Sequence, residues 1–226
     1  MRKPYLAHLG TAGAVRCYLV DGCFIRNRWD VDFTNGAHHL TRDYVPHDEV
    51  WVDREAPGAG ELGFLVRHQI RERAFMLDGT PYLLALSRAN RHERRERRVG
   101  LPLLGLAAKR RAVRKELFGR LDDDEVWIVD GRAVRDHFDP NFTQGGHHWR
   151  YRFVPRRQIW IDDAIAAREL EYTLVHEAHE LHLMRRGMRY DDAHERALTV
   201  EKDLRRRRTH RRYVVRATPM LRWIAA

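Results

Sequence analysis

At 226 residues the chain is long enough to bury a proper core, as one compact domain or two small ones. Hydrophobic content of 43%, six Trp and 33% charged residues exclude a disordered chain, and no apolar run approaches the roughly 18 residues that cross a bilayer. The net charge of +10 favours an anionic partner, either a phosphorylated substrate or nucleic acid bound without sequence specificity.

The first predicted element is a β-hairpin around Asp21-Gly22, flanked by the apolar, β-prone 18–20 and 24–25. A loop carrying Gly36, His38 and His39 leads to a strand that ends in the Trp51 segment, 50–52. Two helices follow, 61–77 and 81–98, broken at Gly79-Thr80-Pro81, where Gly suits a helix end and Thr-Pro a helix start. The stretch 99–124 reads as a link, with a basic amphipathic helix over 109–118. The series then recurs: a hairpin around Asp130-Gly131, a loop with Gly145, Gly146, His147 and His148, a strand over 159–161, and helices over 164–186 and 190–208 broken at Gly187. A tail over 209–226 closes the chain. Cys17 and Cys23 alone exclude a disulfide framework and a four-cysteine zinc site, and no signal-peptide core follows Pro4, so a cytoplasmic protein is expected.

Residues 20–53 match 129–162 at 14 of 34 positions, against roughly two expected by chance. The reading is a tandem duplication with an α+β fold. Each unit holds a small antiparallel sheet followed by a two-helix hairpin, and two pseudo-equivalent halves pack together through apolar helix faces. The expected boundaries are a first repeat over 15–98, a link over 99–124, a second repeat over 125–208 and the tail.

The second repeat carries the chemistry. His176 and Glu180 are four apart on one helix and share a face; His194 and Glu201, seven apart, share a face of the next. An antiparallel hairpin across Gly187 lets these four meet as ligands for Zn²⁺ or another first-row divalent metal. Glu177 follows the first ligand directly, and the pattern resembles the H-E-x-x-H motif of zincin-type metallopeptidases, with Glu180 in place of the second His. The fuller pattern, H-E-x-x-E and then A-H-x-x-A-x-x-x-E, resembles uncharacterised phage and mobile-element proteins. The zincin resemblance implies that Glu177 is the general base. His147 and His148 are further candidates for an active-site acid, although the same loop motif in both repeats favours a structural role. Asp162-Asp163 reads as the cap of the long helix that follows.

Sliding the first repeat onto the second places Arg67 at His176, His68 at Glu177, Arg71 at Glu180 and Leu86 at His194, with Glu93 answering Glu201. On that register the first repeat has lost the site. The expected function is a metal-dependent hydrolase acting on a phosphoester or peptide through a metal-activated water. The alternative is a non-enzymatic basic protein that binds nucleic acid or a partner, with a structural metal.

Overall fold

A computed structural model describes residues 3–55 and 60–209. Among these the chain is α+β, with two four-stranded sheets and seven helices. No described helix is long and apolar enough to cross a membrane. The chain divides into two compact units. The first runs to Leu104 and takes in Arg132–Thr143; the second comprises Gly105–Gly131 and the chain from Gln144 onward.

In the first unit β1 (Tyr5–Ala12) and β2 (Val15–Val20) pair antiparallel, α1 (Gly22–Arg28) follows, and β3 (Gly36–His38) precedes β4 (Glu49–Asp53). The strand order is β1-β2-β4-β3; β2 and β4 run parallel with Val20 opposite Asp53. The helices are α2 (Leu62–Leu77) and α3 (Tyr82–Arg97). The second unit begins with α4 (Leu106–Val113), β5 (Arg114–Leu121) and β6 (Asp124–Val129). After α5 (Gly131–His137), which falls in the first unit except for Gly131, it resumes with β7 (Gly145–His147), β8 (Gln158–Asp162), α6 (Leu170–Arg185) and α7 (Tyr190–Thr209). Its sheet has the same order, β5-β6-β8-β7, and the same register, with Val129 opposite Asp162.

The helical hairpins form as their glycines indicate. Gly79 (φ 83°) donates its N–H to Met76 O and Thr80 to Phe75 O; Gly187 (φ 90°) donates to Met184 O and Met188 to Leu183 O. These crossed bonds satisfy the last carbonyls of α2 and α6 and turn the chain back. The cores are equally plain. Val20, Ile25, Phe33, Ala37, Val45 and Trp51 cluster in the first unit. In the second, Leu121, Val126, Ile159 and Ile161 of the sheet meet Leu174, Ala178 and Leu181 of α6.

Four expectations fail. Asp21-Gly22 and Asp130-Gly131 do not turn hairpins; they open α1 and α5. Asp21 accepts the Phe24 N–H at 3.1 Å, and Gly22 donates its own to Asp53 Oδ1 at 3.2 Å. Glycine is required because a Cβ at either position would lie 2.0 Å from the carboxyl of Asp53 or Asp162. The hairpins turn instead at Gly13 (φ 61°) and beside Asp122 (φ 50°). Since a helix follows β2 and β6, the next central strand pairs parallel, and the sheets are mixed rather than antiparallel. The stretch 99–124 is not a link with a helix over 109–118, because the helix stops at Val113 and Arg114 opens the edge strand β5. Finally, Asp162-Asp163 do not cap α6, which begins eight residues beyond Asp162; Asp163 instead accepts the Gly131 N–H at the start of α5. The tail lies outside the described residues apart from Thr209.

Candidate metal centre

Each unit buries a chain of alternating acids and bases. In the first, His38 Nε2 lies 3.1 Å from Glu72 Oε1, and the other oxygen of Glu72 is 3.4 Å from His68 Nε2. The Nδ1 of His68 faces Glu93 at 2.7 Å, Arg97 donates to Glu93 at 2.7 Å, and the same guanidinium clasps Glu61 at 2.7 and 2.9 Å. In the second, His147 Nε2 lies 2.9 Å from Glu180 Oε1, and Glu180 Oε2 is 3.6 Å from His176 Nε2. His176 Nδ1 faces Glu201 at 3.0 Å, Arg205 donates to Glu201 at 2.9 Å and to Glu169 at 2.7 and 3.2 Å. The six residue types and their order are identical, and all twelve side chains are buried.

The geometry therefore revises the register read from sequence. His68, Glu72 and Glu93 occupy the places of His176, Glu180 and Glu201, and Arg67 and Arg71 do not. Leu62 at the start of α2 lies nine positions after Asp53, but Leu170 at the start of α6 only eight after Asp162. The strand offset carried into α2 is wrong by that one residue, whereas Leu86 and Glu93 of α3 already stand opposite His194 and Glu201. On the corrected register the first unit differs at two positions, having Gln69 where the second has Glu177 and Leu86 where it has His194.

Those two residues make the second site chemically distinct. His194 Nδ1 lies 2.9 Å from Glu180 Oε2 and 3.1 Å from His176 Nε2, so three ligand atoms form a triangle with edges of 2.9, 3.1 and 3.6 Å. Ligands about 2.0–2.1 Å from a tetrahedral ion stand about 3.3–3.4 Å apart, and the triangle fits that spacing. Glu201 is not part of it. Bound to Nδ1 of His176 and to Arg205, it orients the imidazole from behind and leaves Nε2 toward the shared point, the usual place of an outer carboxylate. The convergent groups include neither His179 nor His182.

Glu177 stands beside this triangle; one of its oxygens lies within 4.8 Å of ligand atoms of both Glu180 and His147. Desolvation and the neighbouring Glu180 carboxylate push its carboxyl up to about 7, against the opposing pull of His147, His176 and His194. Glu180 moves the other way: contacts from those three imidazoles overcome its burial and hold it far below the usual carboxylate range. Burial would lower His176, but Glu180 and Glu201 raise it to about 10. Gly145 explains the glycine of the loop motif, since a Cβ there would press on Glu177 Cγ, Thr173 Cγ2 and Trp160 O, each at 3.1 Å.

The paired histidines diverge. His147 is fully buried; its Nδ1 accepts the Arg150 N–H at 3.3 Å, which leaves Nε2–H toward Glu180. His38 Nε2 likewise faces Glu72, at 3.1 Å, which gives the first histidine of the motif the same partner in both units. His148, its ring centroid 6.5 Å from that of His147, lines a separate surface groove. Sequence reading missed Glu169 and Arg205, although Glu61 and Arg97 recur at the same spacing.

No protein-family model, curated protein or solved structure matches the chain.

Proposed function

We propose that the chain is a tandem duplication whose second unit is a metal-dependent hydrolase, with a first-row divalent ion, zinc by ligand type, held by His176, Glu180 and His194. The observation that carries this reading is the pair of differences at corresponding positions. The buried network of six recurs in both units and is sufficient as a polar scaffold without any ion. His194 and Glu177 are outside that network, and they supply the third ligand and a carboxyl poised near neutrality. With Glu201 withdrawn behind His176, three protein ligands leave a position open, the pattern of catalytic rather than structural zinc sites.

When bound, such an ion supplies Lewis acidity and acidifies a water molecule. The chain's own residues do the rest. His147 Nε2–H holds Glu180 Oε1 so that Oε2 faces the two imidazoles, and Glu201 fixes the ring of His176. The Glu177 carboxylate takes a proton from the attacking water and returns it to the leaving group of a phosphoester or peptide, a role suited to a group titrating near 7. The most open edge of the three-ligand site is His194, whose side chain is 26% exposed.

The test is elemental analysis of the purified chain beside Glu177→Gln, with phosphoester and peptide substrates. Wild type is expected to hold about one ion per chain, and the variant to keep it while hydrolysing about 10²–10⁴-fold more slowly. Full hydrolysis by Glu177→Gln, or a wild type that takes up no ion, overturns the reading.

A further inference from the structure

The second unit also contains an open groove of about 990 Å³, at the upper end of the range for ligand sites. Its walls carry five arginines, Arg110, Arg152, Arg156, Arg157 and Arg185, together with His148 and Trp149. Two of the five charges are matched: Arg185 clasps Asp124 at 2.5 Å through both terminal nitrogens, and Arg157 stands 3.8 Å from Asp123. The other three are not. Arg110 donates to the carbonyls of Phe153 and Arg152, at 2.7 and 3.4 Å, which fixes the loop but neutralises nothing. Arg152 and Arg156 are exposed and have no ion pair among the described residues. The indole of Trp149 is 53% exposed in the same groove, with the His148 ring 6.0 Å away.

We infer that this groove binds single-stranded nucleic acid, with Arg110, Arg152 and Arg156 on successive phosphates and a base stacked on Trp149. Several unmatched guanidinium groups along an open channel suit a chain of phosphates better than one small anion. An exposed indole among them suits an unstacked base, whose face a duplex hides. The adjacency of His148 to His147, which touches Glu180, puts one wall of the groove beside the candidate metal centre. That adjacency makes a phosphodiester the preferred substrate; this last step rests on the proposed hydrolase, whereas the binding does not.

The experiment is fluorescence anisotropy of the full chain in EDTA with fluorescein-labelled dT and rU 20-mers, over a salt titration. Arg152→Glu with Arg156→Glu is expected to weaken binding at least tenfold and to flatten the log–log salt slope by about 1.4, at about 0.7 per phosphate lost. Trp149→Ala is expected to weaken it about tenfold. Arg91→Glu with Arg95→Glu, an equal change of charge on exposed positions of α3, controls for the overall field and should change affinity less than threefold. The inference fails if the groove variants bind like wild type, if the α3 control loses as much, or if a duplex or polyaspartate competes as well as the single strand. Because the assay contains no metal, a failure here is separable from a failure of hydrolysis in Glu177→Gln.

Discussion

Replacing His194 by Leu gives the second unit the residue that the first already has at the corresponding place, Leu86. Two of the three convergent atoms then remain, His176 Nε2 and Glu180 Oε2, 3.6 Å apart. In wild type, free zinc held a hundredfold above its dissociation constant adds about 2.7 kcal/mol to stability. At about 2–4 °C per kcal/mol for a chain of this length, the melting temperature rises about 5–11 °C. Loss of even an outer partner of a metal ligand costs 10–100-fold in affinity, so loss of a direct ligand costs at least a hundredfold. At the same free zinc the variant gains at most about 0.4 kcal/mol, or less than about 2 °C. Differential scanning fluorimetry in a zinc buffer, with chelator-treated samples as baseline, reads both numbers. An equal zinc-dependent rise in wild type and His194→Leu would refute the reasoning, as would a wild type with no rise at all.

Glu93→Ala in the first unit strands His68 and Arg97 without the carboxylate between them, and urea unfolding should show a loss of about 3–5 kcal/mol. The same network sets a pH window. His68 is held at about 9, above its usual 6.5, so its contribution is complete below pH 6.5 and disappears as pH rises through 9. Glu72 is held at about 2, below its usual 4.5, so its contribution is complete above pH 4.5 and disappears as pH falls through 2. Urea midpoints should therefore be highest between pH 4.5 and 6.5, and His68→Gln should flatten the alkaline decline. In Gly22→Ala the new Cβ would lie 2.0 Å from Asp53, which Arg26 and the Glu55 N–H hold in place; an expected cost of about 1–3 kcal/mol is measurable by thermal unfolding.

What the sequence made legible was periodic or repeated. The helical hairpins announced themselves through glycines at their breaks, and the spacing of His176, Glu180 and His194 placed them on facing surfaces before any coordinates. The edge strands were harder. Arg114–Leu121 is mostly exposed, so it lacks the alternation that burial on one face would impose, and its basic residues imitate a helix. Asp-Gly misled for a different reason: glycine there answers a steric demand from a carboxyl about thirty residues downstream, invisible to a local pattern. The register of the first unit's site was hidden by a one-residue difference in the connection before α2, enough to put Arg where His belongs. Glu201 has the chemistry of a ligand, and only the position of Arg205 beside it shows that it is already occupied.

The two positions outside the shared network have a wider consequence. Six interlocked polar groups resist piecemeal replacement, because each loss leaves a partner stranded in a dry interior. Positions 69 and 86, like 177 and 194, border that frame without holding it up, and already differ as Gln and Leu against Glu and His. The architecture thus behaves as a socket with exchangeable fittings: two bordering positions differ between the halves while the six-residue frame recurs in both.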